Sequence, residues 1–232
     1  MIIRLKGGLG NQLFQYAYGK CNKCDGYDIT WFDQFERDFE LDKFRVDKKP
    51  FKKYETDLLD GYWQKYRYIE PILSELKTEI RLKDEFKSPK YLYLAEGISK
   101  VPSVAMHVRR DDYLKGKNLH KFYQLGVDYY DGAYNMMKGI TSGFFLFIFS
   151  DDVAWCRENL RYQNSIYVDI SGFEAFDLMR LCKHHIIANS TFSYWAAILS
   201  DGAVIAPKIW RNDPRVQANY TEGLMPDRFL KL

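Results

Sequence analysis

The segment Ser103-Val-Ala-Met-His-Val-Arg-Arg-Asp-Asp-Tyr113 decides the fold. Val104, Met106 and Val108 alternate with other residues as the side chains of a buried β-strand do, which predicts a strand over 103–108. Further apolar segments at 144–149, 166–168, 185–188 and 203–206 alternate with helical patterns at about 123–138, 152–160, 173–183 and 192–200. Nearly continuous apolar strands separated by helix-length segments predict a parallel sheet covered on both faces, a Rossmann-type unit.

The predicted strand ends directly on Arg109 and Arg110. In α/β proteins, ligands bind beyond the carboxyl ends of parallel strands. Two guanidinium groups at such an end suit a doubly charged, oxygen-rich group, and a pyrophosphate fits best. Taken alone, the same residues could equally form a surface ion pair between Arg110 and Asp111 or Asp112.

The first half of the chain is less regular. It predicts a strand over 1–6, a tight loop at Gly7-Gly8-Leu9-Gly10, and a helix from Asn11 to about Cys24. Another strand is predicted near 27–32 and a helix near 71–80. The polar stretch 83–90 is the candidate boundary, which divides the chain into domains 1–90 and 91–232.

Composition excludes several classes of protein. A net charge of +3 over 232 residues, without a long basic stripe, argues against a nucleic-acid-binding protein. The longest apolar run, 144–149, is far shorter than the roughly 20 residues that span a bilayer. Because Met1 leads straight into a strand, we expect no signal peptide and a cytoplasmic protein, which could still act on a membrane-attached acceptor at the inner face.

Two more polar segments follow predicted strands. Ser150-Asp151-Asp152 follows the second strand of the second half, and Asn189-Ser190-Thr191-Phe192-Ser193 follows the fourth. All should therefore lie at the edge of the sheet that carries the arginines. The second segment offers hydroxyls and backbone amides at a helix start, which suit phosphate oxygens, while Phe192 fits either a stack on a base or the inward face of the helix.

Asp151 and Asp152 allow three interpretations. Their carboxylates could bind a ribose or a guanine edge, as an acidic residue does in many Rossmann folds. They could instead hold a divalent cation that bridges a pyrophosphate. The third possibility is that one of them caps the following helix.

The loop Gly7–Gln12 lies between a strand and a helix, where glycines let a backbone approach an anionic group. It is neither a dinucleotide fingerprint nor a Walker loop. Asn11 could bind a ligand or simply cap the helix. His107 lies inside its strand, where a hydrogen-bonded core histidine is the common outcome.

Taken in order, four motifs resemble those of the α-1,2-fucosyltransferases of glycosyltransferase family 11. They are Gly7–Gln12, His107–Tyr113, Phe149-Ser-Asp-Asp152 and Ala188-Asn-Ser-Thr-Phe-Ser-Tyr-Trp195. Shorter matches, such as Gly61-Tyr-Trp-Gln64 and Trp155-Cys156, extend the resemblance over nearly the whole chain. The resemblance implies a GT-B-like α/β fold in which two Rossmann-type domains face a cleft, the amino-terminal one reduced and on the acceptor side.

The resemblance also implies an activity: inverting transfer of L-fucose from GDP-fucose to the 2-hydroxyl of a terminal galactose or similar sugar, with no metal and no cofactor. Arg109 and Asp112 would be the catalytic residues. The donor-binding residues would be Gly8, Asn11, Gln12, His107, Arg109, Arg110, Asp151, Asp152, Ser190, Thr191, Phe192 and Ser193.

The chain departs from the family pattern in two respects. Asp111 replaces the usual glycine beside the arginines, and the chain is short. The alternatives are therefore another fucosyltransferase linkage or donor, a metal-dependent transferase that uses Asp151 and Asp152, and a noncatalytic sugar-nucleotide-binding module. The sequence predicts neither the acceptor glycan nor the oligomeric state.

Overall fold

The computed structural model of the chain describes residues 1–54, 57–110, 112–116 and 118–232, and for Asp112 the backbone alone. These residues form two compact units: Met1–Phe86 with Gly223–Met225, and Lys87–Glu222 with Pro226–Leu232. The roles assigned to domains 1–90 and 91–232, acceptor side and donor side, stay a prediction.

The first unit contains a parallel sheet of four strands in the order β3-β2-β1-β4. Its elements are β1 (Ile2–Arg4), α1 (Leu9–Cys21), β2 (Gly26–Asp28), β3 (Phe51–Lys52), β4 (Leu58–Leu59) and α2 (Leu73–Glu79). Ile3, Leu13 and Ala17 are fully buried, so β1 and the inward face of α1 form the core of this unit.

The second unit contains a parallel sheet of six strands in the order β10-β9-β8-β5-β6-β7. Its strands are β5 (Ser103–Val108), β6 (Phe145–Ser150), β7 (Ser165–Val168), β8 (His184–Ile186), β9 (Val204–Ala206) and β10 (Phe229–Lys231). Its helices are α3 (Pro89–Ser99), α4 (Asn118–Lys121), α5 (Val127–Ile140), α6 (Val153–Asn159), α7 (Gly172–Leu181), α8 (Thr191–Ile198) and α9 (Pro214–Thr221).

Burial explains why the central strand is mostly apolar, with Ser103 and His107 as its polar residues. All six residues of β5 are buried, because β6 and β8 pair with its two edges and helices cover the sheet. On one side, Met106, Ile148 and Ile186 pack with Tyr130 and Met137 of α5. The predicted α/β fold with parallel sheets is confirmed.

Arg228 fixes the end of the chain to the end of α8. Its guanidinium group donates hydrogen bonds to the carbonyl oxygens of Ala197 (3.0 Å), Ile198 (3.3 Å), Ser200 (3.0 Å) and Gly202 (3.0 Å). The last carbonyls of a helix lack partners within the helix and carry partial negative charge, so a guanidinium group stabilises them.

Two predictions for the first half need correction. The strand predicted over 27–32 ends at Asp28, because the Asp28 carboxylate accepts hydrogen bonds from the Thr30 hydroxyl (2.7 Å) and the Tyr54 amide (3.1 Å) and the chain turns. The helix predicted from Asn11 begins at Leu9, so Gly8 and not Asn11 is its N-cap. The stretch 83–90 contains both the division between the units, after Phe86, and the start of α3, which Ser88 caps. Among the described residues, no helix is both long and apolar enough to cross a membrane.

Candidate active site

The chain changes direction across the six-stranded sheet between β5 and β8. From β5 it continues to β6 and β7 on one side, then returns to β8 on the other. Such a point leaves a crevice beyond the carboxyl ends of the two strands, where ligands bind in open α/β sheets. The residues that follow these strands include Arg109 and Arg110 on one side and Ser190, Thr191 and Phe192 on the other.

Both arginines pair with the two carboxylates that follow β6. The Arg109 Nη1 atom lies 3.1 Å from the Asp151 carboxylate, and the Arg110 Nε atom lies 3.4 Å from the Asp152 carboxylate. The Arg110 backbone amide also donates to Asp151 (2.9 Å). The two guanidinium groups are therefore held at the rim, with about a quarter of each side chain exposed (27% and 20%). The alternative ion pair with Asp111 or Asp112 lies outside the described side chains.

Aromatic rings support each guanidinium group. The Arg110 Cζ atom lies 3.8 Å from the centroid of the Trp155 ring, and the Arg109 Cζ atom lies 5.7 Å from that of Tyr113. Tyr113 in turn stacks on Phe122, with centroids 4.0 Å apart and ring planes 13° apart. A role for these rings was not predicted, although Tyr113 closes the arginine motif and Trp155 lies three residues after Asp152.

Asp152 caps helix α6. Its carboxylate accepts a hydrogen bond from the Trp155 amide (3.0 Å), and its own amide donates to the Ser150 hydroxyl (2.9 Å). The capping interpretation therefore applies to Asp152. Asp151 pairs with Arg109 and Arg110 and does not cap the helix.

The start of helix α8 lies beside β5. Ser190 caps the helix through the Phe192 amide (3.4 Å), and the buried Ser193 hydroxyl donates to the Ser190 carbonyl oxygen (3.4 Å). Thr191 and Phe192 are half-buried, so they are the two residues of this segment with exposed side-chain surface. The Phe192 ring contacts the His107 ring, with centroids 5.7 Å apart.

His107 is buried, at 4% exposure, beneath this edge of the sheet. Among the described residues, its Nδ1 atom has no hydrogen-bond partner, unlike the hydrogen-bonded core histidine that we expected. Burial, together with the charge of Arg109, lowers the pKa of His107 to about 3. The imidazole is therefore neutral near neutral pH, when it can accept or donate a hydrogen bond without carrying charge.

In the first unit, Gly7 and Gly8 connect β1 to α1. Gly7 has φ +78°, a conformation that favours glycine, and an added Cβ atom would lie 2.8 Å from the Asn11 side chain. Gly8 precedes the first helical residue, and an added Cβ atom would meet nothing within 4 Å among the described residues. The loop needs glycine at position 7, whereas position 8 borders open space.

Gln12 and Asn11 both bind protein groups. The buried Gln12 amide donates to the carbonyl oxygens of Gly7 (2.9 Å) and Asp38 (3.0 Å) and accepts from the Glu40 amide (2.9 Å). Gln12 therefore holds the glycine loop against segment 38–40. Asn11, which is half-buried, accepts a hydrogen bond from the Gln64 side chain (2.9 Å).

Glu40 supplies the acidic group that α1 lacks in its own first turn. Its carboxylate accepts a hydrogen bond from the Leu9 amide (3.2 Å) at the start of the helix. Burial raises the pKa of Glu40. No local motif predicts this contact, since 31 residues separate the two partners.

The sequence profile of Glycosyl transferase family 11 matches residues 28–225, most of the chain. The chain belongs to this family. Its α-1,2-colitosyltransferase relative from Escherichia coli is 28% identical, and the match covers 90% of this chain and 92% of that protein. The rat galactoside α-(1,2)-fucosyltransferase 2 is also 28% identical; the match covers 88% of this chain but 56% of the rat protein. The chain thus spans little more than half the length of that mammalian relative.

The solved structure of the NodZ α-1,6-fucosyltransferase, from a crystal soaked with GDP-fucose, has a similar fold. The superposition covers 86% of this chain and 91% of NodZ, with a TM-score of 0.54 and 14% sequence identity. At this identity the similarity establishes the GT-B-like fold but neither the linkage nor the substrate.

Metal binding is a separate question. Across the described ranges, no three His, Cys, Asp or Glu side chains cluster as the ligands of a metal ion would. The expectation that the reaction needs neither metal nor cofactor stays a prediction.

Proposed function

We propose that this protein is an inverting α-1,2-fucosyltransferase that moves L-fucose from GDP-fucose to the 2-hydroxyl of a terminal galactose, or a similar sugar, of a glycan. One observation carries the proposal: Arg109 and Arg110 are held together by Asp151 and Asp152 at the switch point of the six-stranded sheet. Membership of family 11 supplies the reaction class.

The arginines act on the leaving group in this proposal. As the bond between the fucose anomeric carbon and the phosphate oxygen breaks, negative charge grows on the β-phosphate of GDP. Guanidinium groups that are already positioned stabilise this charge without reorganising. Among the described residues, the Nη atoms of Arg110 make no hydrogen bond, which leaves them for phosphate oxygens.

Other residues at the carboxyl edge of the six-stranded sheet supply further donor contacts in this proposal. The amide groups at the start of α8 and the Thr191 hydroxyl suit phosphate oxygens, and the half-buried Phe192 ring suits a stacking contact with the base. In this proposal the Asp151 carboxylate also binds the ribose or the guanine edge of the donor. Gly8 belongs to the first unit, and its part in donor binding stays a prediction from the resemblance.

The base that takes the proton of the acceptor hydroxyl is a separate proposal. Asp112 is the carboxylate of the arginine motif, and we propose it as the second catalytic residue. An oxocarbenium-like transition state needs little help from a base, so we expect this contribution to be smaller than that of Arg109.

A second candidate activity is α-1,2-colitosyl transfer. The match to the E. coli α-1,2-colitosyltransferase favours it, because it covers nearly the full length of both chains. Both candidates share the linkage and differ in the sugar that is transferred.

The test is a transfer assay with GDP-fucose and GDP-colitose, each with a panel of β-galactosides, followed by linkage analysis of the product by NMR. We expect a 1→2 linkage, and the preferred donor distinguishes the two candidates. Another linkage would contradict the proposal. GDP binding without transfer or donor hydrolysis would indicate a noncatalytic module, and loss of activity with a chelator would indicate a metal-dependent transferase.

A further inference from the structure

The loop after β4, Gly61-Tyr-Trp-Gln64, lies at the carboxyl edge of the four-stranded sheet. We propose that it binds the acceptor sugar: the exposed Tyr62 ring packs against the apolar face of a hexose, and the side-chain amides of Asn11 and Gln64 bind its hydroxyl groups. The inference rests on the proposed function and deepens it, since it names where a neutral galactoside binds in the first unit.

Strand pairing brings this loop beside the glycine loop. β4 pairs with β1 in parallel, with Ile2 opposite Leu58 and Ile3 opposite Leu59, so both strands end at one edge. The residues that follow β1 are therefore neighbours of those that follow β4, although more than 50 positions separate them in the sequence.

Hydrogen bonds join the two loops. The buried Gln15 side chain accepts from the Lys6 amide (2.9 Å) and donates to the Gly61 carbonyl oxygen (3.1 Å). The Gln64 side chain donates to the Asn11 side chain (2.9 Å). Two amide side chains that face each other in this way resemble the polar part of a sugar site, where donors and acceptors bind adjacent hydroxyls.

The backbone of the loop is strained and fixed. Trp63 has φ +45°, a conformation that bulky residues rarely adopt and that persists where the surroundings hold it. The Trp63 ring stacks on Tyr18 with centroids 4.4 Å apart and ring planes 9° apart. A Cβ atom added at Gly61 would lie 2.9 Å from the indole, so the backbone packs directly on the ring. Strain of this kind concentrates at binding sites, where it fixes a neighbouring side chain in advance.

The side chain that this arrangement presents is Tyr62. It is 43% exposed, whereas the neighbouring Trp63 is engaged by Tyr18. The Lys6 ammonium group lies 4.9 Å from the Tyr62 ring centroid and fixes the ring from one side. An exposed aromatic ring with a polar tip suits a ligand that is apolar on one face and rich in hydroxyls at its rim, as a hexose is.

The charges at this edge favour a neutral ligand. Lys6 and Arg4 both form ion pairs with Asp60, and Arg4 lies 3.9 Å from the buried Asp28. Two cations therefore face two carboxylates. The hydrogen bond from Lys6 lowers the pKa of Asp60, which keeps this carboxylate charged at neutral pH. A phosphate would meet these carboxylates, whereas a sugar hydroxyl can bind either charge.

The test measures acceptor and donor separately on the full chain. Tyr62→Ala should raise the acceptor KM about tenfold while the donor KM and the rate of donor hydrolysis stay unchanged. Tyr62→Phe should retain most of the acceptor affinity, because it keeps the ring, and Gln64→Ala should also raise the acceptor KM. Tyr93→Ala is the matched control, since Tyr93 is a 77% exposed tyrosine of the second unit.

Direct binding separates this inference from the proposed activity. Saturation-transfer NMR with methyl β-galactoside, without donor, should show contact that Tyr62→Ala removes. If the protein binds the galactoside through Tyr62 but transfers no sugar, the proposed function fails and the site stands. Unchanged acceptor KM and unchanged galactoside binding in both Tyr62→Ala and Gln64→Ala would overturn the site, as would a wild-type protein that binds no galactoside.

Discussion

The Arg110 guanidinium carbon lies 3.8 Å from the centroid of the Trp155 ring, and the helix that carries Trp155 begins at the carboxylate that pairs with Arg110. One short segment, Asp152–Trp155, thus provides both the opposite charge and the stacking surface for one guanidinium group. Its orientation is therefore coupled to the start of α6, so substitutions there should affect donor binding.

Arg109→Ala should lower the rate of transfer by about a hundred- to a thousandfold, because one preorganised donor to the leaving phosphate is lost. The measurement is the initial rate at saturating donor, with a thermal melt to show that the variant folds. Arg45→Ala is the matched control: Arg45 also pairs with a carboxylate (Asp84, 3.3 Å), but its side chain is 51% exposed and lies in the first unit. Wild-type turnover in Arg109→Ala would refute its assignment.

Trp155→Leu should raise the donor KM severalfold, because a cation–π contact contributes about 0.5–2 kcal/mol. Trp155→Phe keeps an aromatic ring beside Arg110, so its donor KM should rise less than that of Trp155→Leu. Tyr167→Leu removes a similar contact, with Arg157 at 4.8 Å, and should leave the donor KM unchanged. Steady-state kinetics with varied donor distinguish these outcomes; equal donor KM values in all three variants would show that the stack plays no part.

Asp152→Ala should lower the free energy of unfolding by about 1 kcal/mol, because α6 loses its cap. For a chain of this size the melting temperature should fall by about 2–4 °C. Asp152→Asn keeps a capping oxygen and loses the ion pair with Arg110, so it should retain stability while the donor KM changes. Asp213→Ala, which uncaps α9, should show the stability loss alone. Equal stability of the Asn and Ala variants at position 152 would contradict this account.

Gly7→Ala and Gly8→Ala should separate stability from function. Alanine at position 7 must adopt φ near +78° and crowd Asn11, which should cost about 1–2 kcal/mol of stability. Alanine at position 8 meets open space and should leave the melting temperature unchanged. If the donor approaches the backbone there, Gly8→Ala should nevertheless reduce transfer; full activity would remove Gly8 from the donor site.

The two buried histidines should make the protein less stable in acid. Burial lowers the pKa of His107 and of His185 to about 3, below the ordinary value of 6.5. As the pH falls below about 6.5, the unfolded chain takes up these protons first, so stability is full above this pH and decreases below it. Each histidine should contribute a loss of about 1.4 kcal/mol between about pH 7.5 and pH 5.5.

Urea denaturation at the two pH values measures this loss. His107→Asn should reduce it by about 1.4 kcal/mol, whatever the substitution does to stability at neutral pH. His120→Asn, in exposed helix α4, is the matched control for the substitution itself. A loss that is the same in His107→Asn and in the wild type would show that His107 can be protonated in the folded state.

The central strands of the second unit could be predicted from the sequence because they are buried on both faces. Such strands are mostly apolar: 144–149 is apolar throughout, and 103–108 is apolar except for Ser103 and His107. The same reasoning placed the arginines and the Asp151–Asp152 pair at one edge, where they do meet. The edge strand β10, with two of its three residues exposed, was not predicted. The first unit was harder to predict, since β3 and β4 have two residues each and show no periodicity.

The roles of individual polar side chains were less predictable. Gln12 was expected to face the donor, yet its amide binds backbone groups of Gly7, Asp38 and Glu40. Such contacts depend on segments that are distant in the sequence, and an amide suits a backbone partner as well as a ligand. The Trp155 stack escaped prediction for a similar reason, because it requires the side-chain directions of two different segments.

The hydrogen bonds of Arg228 have a practical consequence. They tie the last strand, β10, to the carboxyl end of α8, whose opposite end carries Ser190, Thr191 and Phe192. Engineered variants that delete or replace residues 226–232 would loosen this helix at one end and, if the donor binds as proposed, would weaken nucleotide binding at the other. Substitutions in this segment should therefore preserve Arg228 and the pairing of β10 with β9.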